Sequence, residues 1–104
     1  MKVRMRNYPF FVCLCVPFEG NNVFATKIDG VYAIYSYGRH WPLAACDMIT
    51  GEWVVNTDKA SVTTSKHLTA CQIPHHATPM NKTGVANFIE DRRYRNFLKK
   101  TGIK

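Results

Sequence analysis

The stretch Thr63-Thr64-Ser65-Lys66-His67 combines side chains that nucleophilic catalysis uses, three hydroxyls and an imidazole. That chemistry needs a hydroxyl within hydrogen-bond reach of a base, which a third group orients. Residues adjacent in sequence rarely meet this condition, because neighbouring side chains on a helix or strand point apart. We therefore assign no catalytic residue and expect the hydroxyls to cap a helix. His67 is predicted to be structural, or to join Lys66 in binding a partner, and a small hydrolase or nuclease that uses His67 is the alternative.

Sulfur and imidazole ligands for a metal are present, but their spacing is unlike that of a zinc site. Structural zinc sites use pairs of the C-x2–4-C or H-x3–5-H kind, and the sequence contains neither. It also contains no P-loop, no G-x-G-x-x-G and no H-E-x-x-H. We therefore expect no metal and no cofactor, and four reduced, mostly buried thiols. The residues considered are Cys13, Cys15, Cys46, Cys71, His75 and His76.

Residues 8–56 show the patterns of an antiparallel sheet. Asp29-Gly30 is the strongest hairpin signal, because a type I′ turn needs positive φ at both central positions and these residues tolerate it. The returning strand alternates, so residues 32, 34 and 36 are predicted on one face and residues 33, 35 and 37 on the other. Pro42 predicts an edge strand or a bulge, since proline cannot donate to the ladder. Trp53 is expected in the core. About five strands in a meander are predicted, over residues 8–18, 23–28, 31–37, 41–46 and 53–56.

Beyond Asp58 the pattern changes from strand to helix. Thr63 or Thr64 is a candidate N-cap, which predicts a short helix over about 64–72. Residues 73–82 contain two prolines and no periodicity, and they are predicted to form a loop. A second helix is predicted over about 87–100, where Asn87 and Glu90 match a capping box and Asp91 pairs with Arg95. At 104 residues the chain is expected to form one α+β domain.

The C-terminal helix has two apolar clusters on opposite sides of its helical wheel. Val85, Phe88 and Ile89 form one, and Tyr94, Phe97 and Leu98 form the other. One straight helix cannot bury both clusters against the same body. The pattern therefore predicts either a bend before about Phe88 or two halves that face different partners. The aromatic cluster is expected to anchor the second half on the sheet or on a partner, with its cations outward.

The formal charge of +7 is concentrated at the two ends of the chain. Residues 1–6 hold three basic side chains, and residues 82–104 hold seven against two acidic ones, whereas the body between them is nearly neutral. Segregated basic ends suit an anionic partner such as nucleic acid. Reversing Arg92, Arg93 and Lys99 to Glu is expected to abolish binding and to leave the fold intact. The predicted cationic side consists of Arg92, Arg93, Arg95, Lys99 and Lys100.

Residues 31–68 resemble small uncharacterised proteins of tailed bacteriophages. The resemblance is carried by Tyr35-Ser36-Tyr37-Gly38, by Pro42-Leu43-Ala44, and by a stretch of the form W-x-V-N-x-x-K-x-S-x-T-T-S-x-H from Trp53 to His67. Ala60 and Leu68 depart from the Tyr and Gln of that pattern. The resemblance implies a phage protein that acts in the cytoplasm of the bacterial host, and it implies no particular activity.

Three functions follow as hypotheses. The first is a non-enzymatic accessory protein that binds nucleic acid, or inhibits a host nucleic-acid machine such as a defence complex or polymerase, through its basic surface. The second is a virion or assembly protein, and the third is the small hydrolase or nuclease that uses His67. The expected partner is nucleic acid or a bacterial nucleic-acid-processing complex, and no membrane, since no apolar segment is long enough to span a bilayer.

Overall fold

A mixed six-stranded sheet forms the centre of the computed structural model, which describes residues 2–59 and 62–102. Strands β1 to β5 follow one another as an antiparallel meander, which was predicted, but its first strand is Phe18–Glu19 and not residues 8–18. Strand β6 adds to β5 in parallel, so the α+β class is confirmed but the sheet is not purely antiparallel. The elements in chain order are a 3₁₀ turn (Met5–Asn7), α1 (Tyr8–Cys13), β1 (Phe18–Glu19), β2 (Val23–Ile28), β3 (Val31–Ser36), β4 (Pro42–Asp47), β5 (Glu52–Asn56), α2 (Val62–Cys71), β6 (Thr78–Met80) and α3 (Lys82–Thr101).

The β2–β3 hairpin is the part of the sheet that the sequence predicts most closely. Asp29 and Gly30 have φ values of 50° and 73°, as a type I′ turn requires. Pro42 begins β4, which lies in the middle of the sheet, so the edge-strand alternative is wrong. The bulge alternative is confirmed, because the β3–β4 register passes from Ile34 opposite Ala44 to Tyr35 opposite Pro42.

The N-terminal segment is a helix and not the predicted strand over residues 8–18. Pro9 occupies the first turn of α1, where a missing N–H costs nothing. Helix α1 ends in a Schellman motif: Cys15 has φ 52°, and the amide of Val16 donates to the carbonyl of Phe11 at 2.8 Å. An apolar run this short fits a buried strand and a packed helix equally well, and only the tertiary contacts choose between them.

Helices cover both faces of the sheet. Tyr32 and Ile34 point to the side of α1 and α2, where Tyr8, Val12, Trp53 and Cys71 complete one core cluster. Val31, Ala33 and Tyr35 point to the side of α3, where Val85, Phe88 and Ile89 complete the other. The predicted alternation along β3 and the burial of Trp53 are therefore confirmed. Tyr37 departs from this alternation, because its positive φ turns the chain. Its ring lies 5.8 Å from that of His67, on the α2 side.

The connection after β5 differs from the prediction in two respects. Thr63 and Thr64 lie inside α2, so neither is its N-cap, and the residue before Val62 is outside the described residues. The predicted loop over 73–82 contains β6, in which Pro79 is tolerated because the strand lies at the edge of the sheet. Helix α2 therefore serves as the crossover between two parallel strands.

Helix α3 is continuous from Lys82 to Thr101, so it neither begins at Asn87 nor breaks before Phe88. Its N-cap is Asn81, whose side chain accepts a hydrogen bond from the amide of Gly84 at 2.7 Å. Glu90 and Asp91 consequently lie in the middle of the helix, not in its first turn. Its predicted end is confirmed, because Gly102 adopts a left-handed conformation with φ 76°.

Candidate functional site

His67 lies in a buried polar cluster between β3 and α2. Its Nδ1 is 2.9 Å from the hydroxyl of Ser36, which is also 3.2 Å from the hydroxyl of Thr64. Ser36 is fully buried and His67 is 2% exposed. Burial lowers the pKa of His67, so the imidazole is neutral over the physiological range. The partner of His67 is therefore a serine 31 positions earlier in the chain and not one of its sequence neighbours.

This serine–histidine pair has the distance of a nucleophile and its base but lacks the access that a substrate needs. Both residues are covered, and the half-exposed Tyr37 ring lies over the imidazole. A hydrogen-bonded pair between a strand and a helix has a direct structural effect, because breaking it leaves buried polar groups unsatisfied. We interpret Ser36, Thr64 and His67 as the polar link that holds α2 on the sheet.

Three sequence motifs, at residues 35–38, 42–44 and 53–67, meet at this end of the sheet. Ser36, from the first motif, contacts Thr64 and His67 from the last. Asn56 donates to the carbonyl of Pro42 at 2.8 Å, and it accepts from the amide of Asp58 at 2.9 Å. These bonds organise the end of β5 and the start of β4, so the three motifs have a structural role in this chain.

All four thiols are free, but only two are buried. Burial raises the pKa of Cys46 and that of Cys71 to about 12, which makes them poor nucleophiles and poor metal ligands at neutral pH. Within residues 2–59 and 62–102 no group of three or more Cys, His, Asp or Glu side chains is placed to hold a metal ion.

Arg92 faces the sheet and is committed to an ion-pair network. Its guanidinium lies 3.0 Å from the buried carboxylate of Asp47 and 2.8 Å from Glu52, and it stacks over the ring of Phe88 at 4.6 Å. Burial would raise the pKa of Asp47, but hydrogen bonds from Arg92, the Ile49 amide and Asn96 outweigh it and lower that pKa. The expectation that the whole cationic side of α3 faces outward is therefore wrong at Arg92.

The other cations of α3 are accessible to different degrees. Arg93 is held by a long ion pair, with its Nε 4.0 Å from Asp29, and that Nε makes no hydrogen bond within the described part of the chain. Arg95 pairs with Asp91 at 3.0 Å, which confirms the predicted i,i+4 pair. Lys99 and Lys100 are exposed in the last turn. Lys66 and His67 belong to α2 on the other face of the sheet, so the structure does not bring them together with α3.

The aromatic residues of the second half of α3 do not anchor it on the sheet. Tyr94 is 64% exposed and Phe97 is 46% exposed, whereas Asn96 is buried and donates to the carbonyl of Asp29 at 2.9 Å. Arg92 and Asn96 therefore keep this half on the sheet through polar contacts. The alternative that the two halves of α3 face different partners stays a prediction, and the rings of Tyr94 and Phe97 are left uncovered by the described residues.

Sequence reasoning missed Arg39, which we assigned only to a turn. Its guanidinium carbon lies 5.8 Å from the ring centre of Phe24 and 5.7 Å from that of Tyr35, and these two rings stack at 5.2 Å. Burial raises the pKa of Tyr35, while the positive charges of Arg39 and Arg93 and a hydrogen bond with Arg39 oppose the rise. The sequence signal that could have identified this group is an arginine that follows a hairpin with two aromatic residues on one face.

Two concave regions adjoin this group of side chains. One, of about 270 Å³, lies between α3 and the β2–β3 turn and is lined by Asp29, Glu90, Arg93, Tyr94 and Phe97. The other, of about 600 Å³, follows the β1–β2 edge, and Lys2, Phe24 and Tyr37 are among its lining residues. Phe24 belongs both to this edge groove and to the stack under Arg39. Each of the two regions thus combines a cation and aromatic rings with at least one carboxylate: Glu19 in the groove, and Asp29 and Glu90 in the hollow.

Comparison of the chain with protein-family models, curated protein sequences and solved structures gives no match. Among the described residues, no helix has the length and apolar character needed to cross a membrane.

Proposed function

We propose that the protein is a non-enzymatic binding protein that engages nucleic acid through an arginine–aromatic surface on the α3 side of the sheet. The observation that carries the proposal is the guanidinium of Arg39 over the stacked rings of Phe24 and Tyr35. The arginine–aromatic surface consists of Phe24, Arg39, Arg93, Tyr94, Phe97 and Lys100.

Phosphates bind to cations and bases stack on aromatic rings, and this surface contains both kinds of side chain. Arginine offers a planar donor array to a phosphate, and exposed aromatic rings offer faces on which bases stack. Arg93 suits the first role because its ion pair with Asp29, at 4.0 Å, is loose compared with the 2.8–3.0 Å contacts of Arg92. The formal charge of +7 adds a long-range attraction for a polyanion.

The resemblance to phage proteins and the four free thiols support a site of action in the bacterial cytoplasm. There the same surface would serve either direct binding of nucleic acid or inhibition of a host nucleic-acid machine. A pull-down from bacteria expressing the protein, with and without nuclease treatment, separates these two cases. Host proteins that are retained after nuclease treatment would support an inhibitor. Presence of the protein in purified virions would support the virion or assembly alternative instead.

Salt dependence tests direct binding. If Arg39, Arg93 and Lys100 each neutralise one phosphate, the affinity should fall roughly 20- to 40-fold between 50 and 200 mM salt. The Arg39→Gln/Arg93→Gln double variant should weaken binding. It should also lower the slope of log affinity against log salt concentration by the amount expected for two phosphate contacts. Fluorescence anisotropy with a labelled oligonucleotide measures both quantities.

Lys66→Gln is the control for the loss of a positive charge elsewhere on the surface, because Lys66 is exposed on α2 across the sheet. It should bind like the parent protein. If Lys66→Gln weakened binding and the double variant did not, the working surface would lie on the α2 side, as sequence reasoning proposed for Lys66 and His67.

A further inference from the structure

We infer that the ligand of the arginine–aromatic surface is single-stranded nucleic acid, with bases stacked on Tyr94 and Phe97. This inference rests on the proposed function and specifies its substrate class. It depends on three features of the surface: uncovered aromatic rings, the cations Arg93 and Lys100 beside them on α3, and carboxylates on the outward side of that helix.

The uncovered rings favour unpaired bases. Tyr94 and Phe97 are one helical turn apart and are 64% and 46% exposed. A base inside a duplex is stacked on its neighbours and hides its faces, whereas a single strand can place a base on each ring. Stacking would cover apolar surface that the described fold leaves in water.

The cations that accompany these rings follow one flank of α3. Arg93, Phe97 and Lys100 are spaced at i, i+4 and i+7, which places them in one row about 10 Å long. Arg39 supplies a further cation on the same side of the sheet, over the rings of Phe24 and Tyr35. The edge groove lies beyond Phe24, with Lys2 in its wall. One sugar–phosphate backbone can follow such a row of cations.

The outward side of α3 disfavours a second backbone. Glu90 and Asp91 are exposed, and Glu90 lines the same hollow as Tyr94. A duplex docked on this helix would bring phosphates of its other strand towards these carboxylates, and like charges repel. Asp91 is paired with Arg95, but Glu90 has no salt bridge among the described residues.

Anisotropy titrations with three fluorescein-labelled probes test the inference at one salt concentration. The probes are a 15-nucleotide oligothymidylate, a 15-nucleotide oligouridylate and a 15-base-pair DNA duplex. We expect at least one of the single strands to bind at least tenfold more tightly than the duplex. Tyr94→Ala and Phe97→Ala should each weaken single-strand binding by roughly 5- to 100-fold, because each removes one stacking partner.

Phe10→Ala is the matched control. Phe10 is 67% exposed, but it lies on α1 across the sheet, so its loss should leave binding unchanged. Thermal unfolding of each variant checks that the substitutions on α3 leave the fold intact. Equal or tighter binding of the duplex, or single-strand binding that is insensitive to both α3 variants, would overturn this inference and leave the proposed function standing. Binding of none of the three probes would overturn both.

Discussion

Arg92→Ala should destabilise the protein far more than the loss of a surface charge would. Asp47 is buried, and the substitution removes the only arginine that pairs with it among the described residues. Removing one partner of a buried ion pair typically costs about 3–5 kcal/mol. Asp47 keeps its hydrogen bonds from the Ile49 amide at 3.0 Å and from Asn96 at 3.4 Å. Because these contacts remain, we expect a loss of about 2–3 kcal/mol.

Chemical denaturation measures this loss directly. With a urea m-value of about 1–3 kcal/mol/M for a small domain, the midpoint should move down by roughly 0.7–3 M. Arg95→Ala is the control, since Arg95 makes an exposed i,i+4 pair with Asp91 on the same helix. That variant should lose no more than about 0.5 kcal/mol.

The pH dependence gives a second, independent test of the same contact. The folded-state pKa of Asp47 lies below its value in the unfolded chain, so on acidification the unfolded chain binds this proton first. The stability from Asp47 is therefore present above about pH 4 and lost as the pH falls through the folded-state pKa. The difference in the free energy of unfolding between the parent protein and Arg92→Ala should be largest near neutral pH and should become smaller below about pH 4.

Equal midpoints for Arg92→Ala and Arg95→Ala at neutral pH would refute this reasoning. They would show that water replaces Arg92 at Asp47 without loss. The same contact affects the charge-reversal experiment, because Glu at position 92 would face the buried carboxylate of Asp47. A triple reversal that includes Arg92 is therefore expected to unfold the protein, and reversing Arg93 and Lys99 alone avoids that effect.

Two further predictions concern the other face of the sheet. Trp53→Ala should cost about 3–5 kcal/mol, because Trp53 is buried edge-on against Tyr32; an unchanged melting temperature would contradict this packing. The His67→Gln variant should lose the part of the pH dependence of stability that His67 contributes in the parent protein. The lowered pKa of His67 means that the unfolded chain takes up its proton first, so stability is full above about pH 6.5 and falls as the pH drops below it. If the free energy of unfolding changed by the same amount between pH 7.5 and pH 5.5 in the parent protein and in His67→Gln, His67 would not be the group responsible for this pH dependence.

Local patterns predicted the elements whose signals lie within a few residues. The β2–β3 hairpin follows from Asp29-Gly30, since few other residues adopt two successive positive φ values. The end of α3 follows in the same way from Gly102. The start of α3 was predicted at the wrong residue because Asn87 and Glu90 look like a capping box. The true N-cap, Asn81, is a weaker signal, because Gly84 three residues later is a poor helix former.

The candidate site was predictable only in its composition. Sequence showed that cations and aromatic residues are concentrated near the C-terminus, and that the end of α3 is basic. It could not show that Arg92 is committed to Asp47, 45 positions earlier, whereas Arg93 is not. Adjacent residues on a helix point in directions about 100° apart, so the position of the sheet decides which of the two is available.

By itself, the sequence determined the α+β class, the meander, the burial of Trp53 and the basic C-terminal helix. These features depend on periodicity, turn chemistry and composition, which act over short distances along the chain. The tertiary structure decided that residues 8–13 form a helix, that Ser36 is the partner of His67, and that Arg39 lies over Phe24 and Tyr35. Each of these depends on groups distant in sequence that meet only when both faces of the sheet are covered. Burial and pairing are properties of that packing and not of the local sequence.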